Sequence, residues 1–413
     1  MDYDVIIVGG GAAGFFNAIN LAKENPGLKI AILERGAEFL GKVRISGGGR
    51  CNVTHAEFEP GPLTANYPRG DRELLGPFHK FMTGDVMGWF EERGVQLKVE
   101  DDNRVFPVTD SSMTIIDCFL AEAKKYNVDL RLKHTVLSIE RNGDTWQLAT
   151  KNGTFKCDNI VIATGSNPKI WSLLAGLGHT IIPPVPSLFT FNINDERIKD
   201  LPGIAAFASL QLRDLNGEVL RDLDTFSGPV LITHWGLSGP AVLKLSAVAA
   251  RILHAMEYRF KVCVNWLDFM EVDEAIRIMK EFKLASAKQI LLKRNPFDLP
   301  KRLWYSLVSR EDLPEGLTWA DVNREQLTNM ATSLTACTFT VNGKSTFKEE
   351  FTTAGGVELT EVDFTTFESR RQQGLYLAGE VLNIDAVTGG FNFQNAWTGG
   401  YLAALAISKK YRS

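Results

Sequence analysis

The sequence is poor in the residues that form disulfide frameworks and metal sites. Its 413 residues include only 5 cysteines and 6 histidines, with no CxxC pair and no HxxxH or HExxH spacing. Scattered cysteines of this kind are typical of proteins from reducing compartments, and metal sites need clustered ligands. We therefore expect a cytoplasmic protein without a metal centre.

Excess positive charge and long apolar runs are also missing. Lysine and arginine number 45 against 49 acidic residues, which gives a net charge of −4 and a pI near 6.0. Nucleic-acid and anionic-membrane partners favour a basic surface, and no apolar run is long enough to span a bilayer. Asp2 stands where a secretion signal needs positive charge. We expect no nucleic acid and no membrane as partners, and no secretion signal.

What the chain does contain is a glycine turn between a strand and a helix near its start. Residues 4–8 predict a buried strand, residues 15–24 a helix and residues 28–33 a second strand. The turn reads Gly9-Gly10-Gly11-Ala12-Ala13-Gly14, and Glu34 follows the second strand. This order of strand, GxGxxG turn, helix, strand and acid is the dinucleotide-binding fingerprint.

Each part of the fingerprint has a physical task. Gly9 permits the sharp turn, Gly11 lets the backbone approach a pyrophosphate, and Gly14 lets the helix pack closely on the sheet. The amides and the dipole of the helix N-terminus face the anion. Glu34 lies 20 positions after Gly14, where its carboxylate accepts hydrogen bonds from an adenosine ribose and repels a 2′-phosphate.

A matching unit of strand, acid, glycine loop and helix stands near the end of the chain. A predicted strand ends in Gly379-Glu380, a loop covers residues 383–392, and a final helix is predicted over residues 393–409. In two-dinucleotide-fold flavoproteins such a unit meets the flavin end of FAD. Glu380 would bind the ribityl hydroxyls, and the loop would bring backbone amides to the flavin pyrimidine. We infer a discontinuous nucleotide domain built from both ends of the chain.

Three further strings suit the same cofactor. Ala163-Thr164-Gly165 ends an apolar strand with small residues that let the backbone lie against a nucleotide. The side chain of Val136 either contacts the adenine or packs in the core. The run of glycines in Ser46-Gly47-Gly48-Gly49-Arg50-Cys51-Asn52 costs conformational entropy and is useful where backbone passes close to a flat ring. Arg50 offers a permanently charged fork to a pyrophosphate or an anionic substrate.

Several strings together resemble one family. Residues 46–52, 100–107, 233–240, 353–357 and 379–394 look like those of bacterial NAD(P)/FAD-dependent oxidoreductases of the aminoacetone-oxidase type. The resemblance covers almost the whole chain. It implies an α/β fold with a discontinuous, Rossmann-like FAD domain of the two-dinucleotide-binding type, interrupted by a small β-barrel and a helical subdomain. The expected boundaries are residues 1–187 and 345–413 for the FAD domain, 188–266 and 334–344 for the barrel, and 267–333 for the helical subdomain.

The motifs and the resemblance together give one expected set of cofactor-binding residues: Gly9, Gly11, Ala12, Ala13, Gly14, Glu34, Arg35, Arg44, Ser46, Gly47, Gly48, Gly49, Arg50, Cys51, Asn52, Val136, Ala163, Thr164, Gly165, Gly379, Glu380, Gly390, Phe391, Asn392 and Phe393.

No catalytic residue is identified by the sequence, although three side chains are candidates. Arg104 either holds a substrate anion or forms an ion pair with Glu100 or Asp101. His234 is either a general base, since imidazole titrates near neutral pH, or a loop residue. Cys51 is either a thiol active beside the flavin or a small packing residue, and packing is the favoured interpretation because lone cysteines are usually buried packers.

These observations predict an FAD-dependent oxidoreductase that moves hydride between a small organic substrate and flavin N5. Oxidation of an amine or alcohol and reduction of an enone both suit the resemblance. The alternatives are a tRNA-modifying flavoprotein and a flavin-binding sensor without turnover. No second GxGxxG lies between Gly165 and Gly379, so a nicotinamide, NAD(P)H, would serve only as a transient donor. The sequence leaves the oligomeric state open.

Overall fold

The computed structural model describes residues 2–221, 223–309, 313–314, 316–345 and 352–412. Its strands are β1 Asp2–Val8, β2 Ile30–Leu33, β3 Thr54–His55, β4 Leu97–Val99, β5 Arg104–Pro107, β6 Asp129–Arg131, β7 Val136–Asn142, β8 Thr145–Thr150, β9 Gly153–Ile162, β10 Ile181–Ser187, β11 Thr190–Asn192, β12 Ala205–Arg213, β13 Phe226–Thr233, β14 Gly236–Ser238, β15 Arg259–Asn265, β16 Cys337–Asn342, β17 Lys344–Ser345, β18 Thr352–Val357, β19 Val362–Asp363, β20 Glu368–Ser369 and β21 Leu375–Leu377.

The helices are α1 Ala12–Glu24, α2 Gly41–Gly49, α3 Pro60–Thr64, α4 Asp71–Phe78, α5 Thr83–Glu91, α6 Ser112–Lys125, α7 Pro168–Gly176, α8 Pro240–Val248, α9 Ala250–Ala255, α10 Val272–Ala285, α11 Lys301–Val308, α12 Arg324–Thr335 and α13 Phe391–Arg412, with 3-10 turns at Leu291–Lys293, Trp319–Asp321 and Leu359–Glu361. None of the helices in the described part of the chain is long and apolar enough to cross a membrane.

The chain divides into two compact units. The first consists of Met1–Val185 with Lys348–Ser413, and the second of Pro186–Phe347. The first unit is therefore built from both ends of the chain, and the predicted α/β class with a discontinuous Rossmann-type domain is confirmed.

The first unit is organised around a mixed sheet with the strand order β19-β20-β21-β9-β1-β2-β6. The central pairs β6–β2, β2–β1, β1–β9 and β9–β21 are parallel, whereas β19 and β20 are antiparallel additions at one edge. The apolar runs of β1 and β2 are completely or almost completely buried where they pair, as parallel strands covered on both faces require. The strand β21, from the end of the chain, thus lies beside β9 in the middle of the sheet.

Helix α13 packs directly on α1. The side-chain amide of Asn17 donates to the carbonyl oxygen of Gly400 at 2.9 Å. A Cβ on Gly400 would lie 2.7 Å from the carbonyl oxygen of Ala13, so only glycine permits this close approach. The N-terminal and C-terminal helices are therefore held together by backbone contact.

The second unit contains an antiparallel sheet with the order β16-β15-β12-β13-β14-β11-β17. The sheet is curled, since its two ends, β16 and β17, are consecutive in the chain and only Gly343 separates them. Among the described strands no closed ring of paired strands is present, so the small β-barrel that the resemblance implies takes the form of a curled sheet. Residues of α8, α10, α11 and α12 share one hydrophobic core with this sheet.

Candidate functional site

Of the four glycines in the turn at the end of β1, one has an open Cβ position, Gly11, and the other three are filled. A Cβ on Gly9, whose φ is +111°, would lie 2.4 Å from the carbonyl oxygen of Ala163, and a Cβ on Gly14 would lie 2.1 Å from that of Gly9. Gly11, the N-cap of α1, has no atom within 4 Å of its Cβ position. The free space therefore lies at the helix N-terminus, where backbone amides attract an anion.

Glu34 binds the glycine turn to the end of β2. Its Oε2 accepts the backbone N–H of Gly10 at 2.9 Å, and its Oε1 accepts that of Gly36 at 2.6 Å. A carboxylate has about four acceptor positions, so further hydrogen bonds from a ribose remain available to it. Arg35 lies exposed beside it.

The carboxyl ends of three parallel strands meet at the same edge of the sheet, and each carries a predicted site element. The Cβ position of Gly165, after β9, is 3.6 Å from Oε2 of Glu380, after β21. The Cβ position of Gly379 is 3.4 Å from Cβ of Ala13, at the start of α1. Elements more than 200 residues apart in the chain are thus brought together in one place.

An ion pair that the sequence did not predict also lies at this edge. Nζ of Lys42, in α2, is 2.5 Å from Oε2 of Glu380, and the Lys42 side chain is 55% exposed against 18% for Glu380. Nothing local in the sequence signals a contact between residues 338 positions apart. Nearby in the chain, Arg44 is exposed and lies 3.3 Å from Oε2 of Glu38.

The glycines of α2 interrupt the helix. Ser46, Gly47 and Gly48 have non-helical backbone angles, and the φ values of Gly47, Gly48 and Gly49 are +58°, +68° and +84°. The Cβ positions of Gly48 and Gly49 meet no atom within 4 Å. Gly48 and Gly49, in the string predicted to pass close to a flat ring, therefore present exposed, open backbone, whereas Cys51 and Asn52 at its end are buried.

Asn52 supplies a buried acceptor without a partner. Its Oδ1 accepts no hydrogen bond from a described residue and lies 2.9 Å from the Cβ position of Gly390. An orphaned buried acceptor costs free energy unless a ligand satisfies it. The pyrimidine of a flavin carries an N–H group, so this oxygen and the open glycines fit the predicted cofactor.

The loop before α13 is held from both sides. Asn392 Oδ1 accepts the backbone N–H of Ala386 at 3.0 Å. Arg69 forms a bidentate ion pair with Asp385, whose side chain is fully buried. Tyr67 donates to the carbonyl oxygen of Phe391 at 2.6 Å. The sequence did not predict Arg69 and Tyr67 as site residues, because the pattern around them indicates only a polar loop.

Two arginines of the predicted site are engaged by nearby side chains. Arg50 lies 2.6 Å from Oε1 of Glu100 and 3.4 Å from Oδ1 of Asp110, and its guanidinium stacks 3.9 Å above the centre of the Phe106 ring. Arg104 pairs with Asp102 at 2.7 Å and with Glu100 at 3.5 Å. Cofactor binding by Arg50 and substrate binding by Arg104 therefore stay predictions, made for groups that already have acidic partners.

The remaining candidates differ in exposure. Cys51 is buried, with φ +63°, and burial raises the pKa of its thiol to about 12, so the nucleophilic thiolate is scarce at neutral pH. His234 is exposed in the turn between β13 and β14 of the second unit. Val136 is buried at the start of β7, and Phe393 stacks on Trp397 in α13 with ring centres 5.4 Å apart.

The sheet of the first unit has parallel central strands, an open glycine turn after β1, an acid after β2 and a strand contributed by the C-terminal part of the chain. These features define a Rossmann-type dinucleotide-binding protein. The chain belongs to the family described as HI0933-like protein Rossmann domain, whose model matches residues 3–406. This confirms the family-level resemblance, and the chain is an FAD-dependent oxidoreductase.

Three similar proteins cover nearly its whole length. The ribosomal RNA dihydrouridine synthase of Escherichia coli (strain K12) is 28% identical over 411 residues, 97% of each chain. The 3-dehydro-bile acid delta(4,6)-reductase of Clostridium scindens is 26% identical over 416 residues, 98% of each chain. The solved 3-ketosteroid-delta4-(5alpha)-dehydrogenase of Rhodococcus jostii RHA1 has a TM-score of 0.53 at 12% identity, covering 98% of this chain and 97% of that one. The similarity to this dehydrogenase structure concerns the fold alone.

Proposed function

We propose that this enzyme reduces a carbon–carbon double bond conjugated to a carbonyl group, with bound FAD as the hydride carrier. The observation that carries the proposal is the pair of activities named for its full-length relatives. A dihydrouridine is a uridine whose 5,6-double bond is saturated, and that bond is conjugated to a ring carbonyl. The 4,6-double bonds of a 3-dehydro-bile acid are conjugated to the 3-ketone. Different molecules thus present the same reactive group.

The reaction requires three things of the protein. When bound and reduced, FAD would supply hydride to the carbon β to the carbonyl. The electron pair of the double bond moves toward the carbonyl oxygen, which then needs a hydrogen-bond donor. A proton must finally reach the α carbon. Among the candidates, Cys51 is a poor proton source because its thiol is buried, and the general-base role of His234 stays a prediction.

The proposed cofactor contacts follow from the open positions of the first unit. Gly11 leaves the N-terminus of α1 accessible to the pyrophosphate, and Glu34 receives the adenosine ribose. Glu380 would exchange its contact with Lys42 for the ribityl hydroxyls. The loop at Gly390, with the unpaired Oδ1 of Asn52, would receive the pyrimidine edge.

The test uses the holoenzyme with its flavin chemically reduced under anaerobic conditions. Mixing with a steroidal 4-en-3-one, or with a uridine-containing ribosomal RNA fragment, should restore the oxidised flavin absorbance in a single turnover. The saturated analogue of each compound is the matched control and should leave the flavin reduced. Bleaching of the oxidised flavin by an amine or alcohol, with no response to any conjugated double bond, would contradict the proposal.

The same anaerobic absorbance measurement identifies the electron donor. NADH and NADPH are each added anaerobically to the oxidised enzyme, and the rate of bleaching is compared with that of free FAD. If NADH and NADPH bleach the bound flavin no faster than they bleach free FAD, another compound must be the electron donor. A flavoprotein that no donor and no acceptor affects would support the alternative of a sensor without turnover.

A uridine within RNA is the second candidate substrate, favoured by the 28% identity to the ribosomal RNA dihydrouridine synthase over 97% of both chains. The expectation of no nucleic-acid partner depended on the overall charge of the chain. A net charge of −4 does not describe the local charge of any one surface.

A further inference from the structure

The second unit contains a surface groove that the flavin chemistry does not use. It has a volume of about 680 Å³ and lies between the segment 196–201, the 3-10 turn Leu291–Lys293 and helix α11. Its cationic lining consists of Lys293, Lys301 and Arg302, and its acidic lining of Glu196 and Asp200. Tyr305, Ser306 and Ser309 also line it.

The fold of this unit directs the cations outward. The indole N–H groups of Trp304 and Trp319, both buried, donate to the carbonyl oxygens of Leu291 and Arg294 at 3.2 and 3.1 Å. These bonds fix the backbone of the segment whose Lys293 side chain is exposed. The cations of this wall are therefore carried by a well-anchored segment.

Helix α11 forms the second wall and is amphipathic. Its buried positions are Leu303, Trp304, Leu307 and Val308, and its exposed ones include Lys301, Arg302 and Tyr305. Ser306 donates to the carbonyl oxygen of Arg197 at 2.8 Å, and the guanidinium of Arg302 donates to that of Asp200. These two bonds join α11 to the segment 196–201 across the groove.

The chain around the groove is locally basic, and the lining itself carries three cations against two acids, although the whole chain has a net charge of −4. Residues 283–302 contain six cationic side chains and one acid, Asp298. Of the acids in the lining, Glu196 already pairs with Lys199 at 2.9 Å. Lys293, Lys301 and Arg302 form no ion pair with any residue in the described ranges, so their charges are available to a ligand.

We propose that this groove binds the phosphodiester backbone of single-stranded RNA. Its cations lie on two elements, and the exposed Lys288 and Arg294 extend the positive surface along the chain, which suits a series of phosphates better than one anion. Tyr305, 51% exposed, offers a ring on which a base can stack. This inference rests on the proposed function in its RNA form, because it supplies the surface that an RNA-borne uridine would need.

The test measures binding of a fluorescent, uridine-rich single-stranded RNA to the holoenzyme by anisotropy at several salt concentrations. In the triple variant Lys293→Gln, Lys301→Gln and Arg302→Gln, we expect affinity to fall by at least about tenfold. The slope of log Kd against log salt should decrease by about two, since each lost phosphate contact on a single strand removes about 0.7. Tyr305→Ala should weaken binding about fivefold or more with the salt slope unchanged.

The matched control carries the same change of charge elsewhere, with Lys151→Gln, Lys156→Gln and Lys280→Gln, all exposed positions. It should bind RNA as the parent enzyme does. Equal binding by the groove variant and the control would overturn the proposal. Full competition by inorganic phosphate near 1 mM, on the order of a weak single-anion site, would also overturn it in favour of a small-anion pocket.

The failure of this inference is distinguishable from the failure of the proposed function. Reoxidation of the reduced flavin by a small 4-en-3-one does not involve the groove, so the triple variant should retain it. Suppose that the triple variant loses RNA binding and that the enzyme reduces no conjugated double bond. The groove would then be established as an RNA site, and the proposed reaction would be wrong. Thermal unfolding like that of the parent enzyme in both variants confirms that each is folded.

Discussion

Lys42 and Glu380 lie 2.5 Å apart although 338 residues separate them in the chain. Glu380 follows the strand that the C-terminus adds to the sheet, and Lys42 begins the glycine-containing helix near the N-terminus. Because the lysine is more than half exposed, we expect the pair to add less than about 1 kcal/mol to stability. Its importance therefore lies with the ligand that we place beside Glu380.

The first prediction concerns Glu380→Gln. Loss of a charged acceptor for hydroxyl groups should weaken FAD binding by about tenfold, since a hydrogen bond to a charged group contributes about 1.5–3 kcal/mol. Titration of the apoprotein with FAD, followed by quenching of flavin fluorescence, measures this. Glu140→Gln, at an exposed position of β7, is the control. Unchanged affinity in Glu380→Gln would remove this residue from the site.

The second prediction separates two glycines of the same turn. In Gly11→Ala the new methyl group meets no protein atom, so the melting temperature should change little while FAD binding is lost or greatly weakened. In Gly14→Ala the methyl group would lie 2.1 Å from a carbonyl oxygen, so folding itself should suffer. Thermal unfolding of the apoproteins and FAD titration give the two readouts. A Gly11→Ala protein that binds FAD normally would place the pyrophosphate elsewhere.

The third prediction concerns the ion pair between Arg69 and Asp385. The Asp385 side chain is fully buried and that of Arg69 is 13% exposed. Asp385→Ala should lower the free energy of unfolding by about 3 kcal/mol or more, because it leaves a largely buried guanidinium without its carboxylate. The double variant Arg69→Met with Asp385→Ala should be less destabilised than Asp385→Ala alone. Urea unfolding of the parent, of Arg69→Met, of Asp385→Ala and of the double variant gives the coupling, and simple additivity would show that the pair is not energetically linked.

The fourth prediction is a pH dependence of stability that arises from His179. Burial lowers the pKa of this histidine from its ordinary value of 6.5. Its Nδ1 contacts Glu361 at 2.9 Å and its Nε2 contacts Ser369 at 3.0 Å. Because the unfolded chain takes up the proton first, stability should be full above about pH 6.5 and fall as the pH drops below it.

Substitution separates this effect from that of the neighbouring acid. Although burial opposes it, hydrogen bonds from Arg371, Thr180 and His179 lower the pKa of Glu361 to about 2, so its contribution is lost only between about pH 4.5 and 2. His179→Gln should therefore flatten the stability profile just below pH 6.5 and leave the acidic limb. His79→Gln, at an exposed site, should keep the parent profile. Urea midpoints across the pH range test this, and an unchanged slope in His179→Gln would refute it.

Local sequence predicted those parts of the site that depend on local backbone geometry. Gly9 and Gly14 occupy positions where any Cβ would collide, and that requirement is visible in the spacing of the glycines. Contacts such as those of Lys42 with Glu380 and Arg69 with Asp385 leave no local pattern, because their partners come from the opposite end of the chain. Arg50 shows the same limit, since its position beside Glu100 depends on how the polar segment folds back.

Helix boundaries show a second limit. The apolar spacing of residues 77–93 predicts one helix, but the structure has α4 ending at Phe78 and α5 beginning at Thr83. Pro77 lies in the last turn of α4, where it removes a backbone donor. The apolar spacing continues across residues 79–82, so periodicity alone does not reveal the break between α4 and α5.

The position of β21 has a consequence for how the enzyme is made. Until residues 375–377 leave the ribosome, the buried strand β9 has no neighbour on its β21 side. The first unit cannot finish folding until α13 has also left the ribosome, because α13 packs on α1. A polypeptide terminated before β21 would therefore leave β9 unpaired on one side, and we expect it to be degraded by proteases rather than to act as a partly active catalyst.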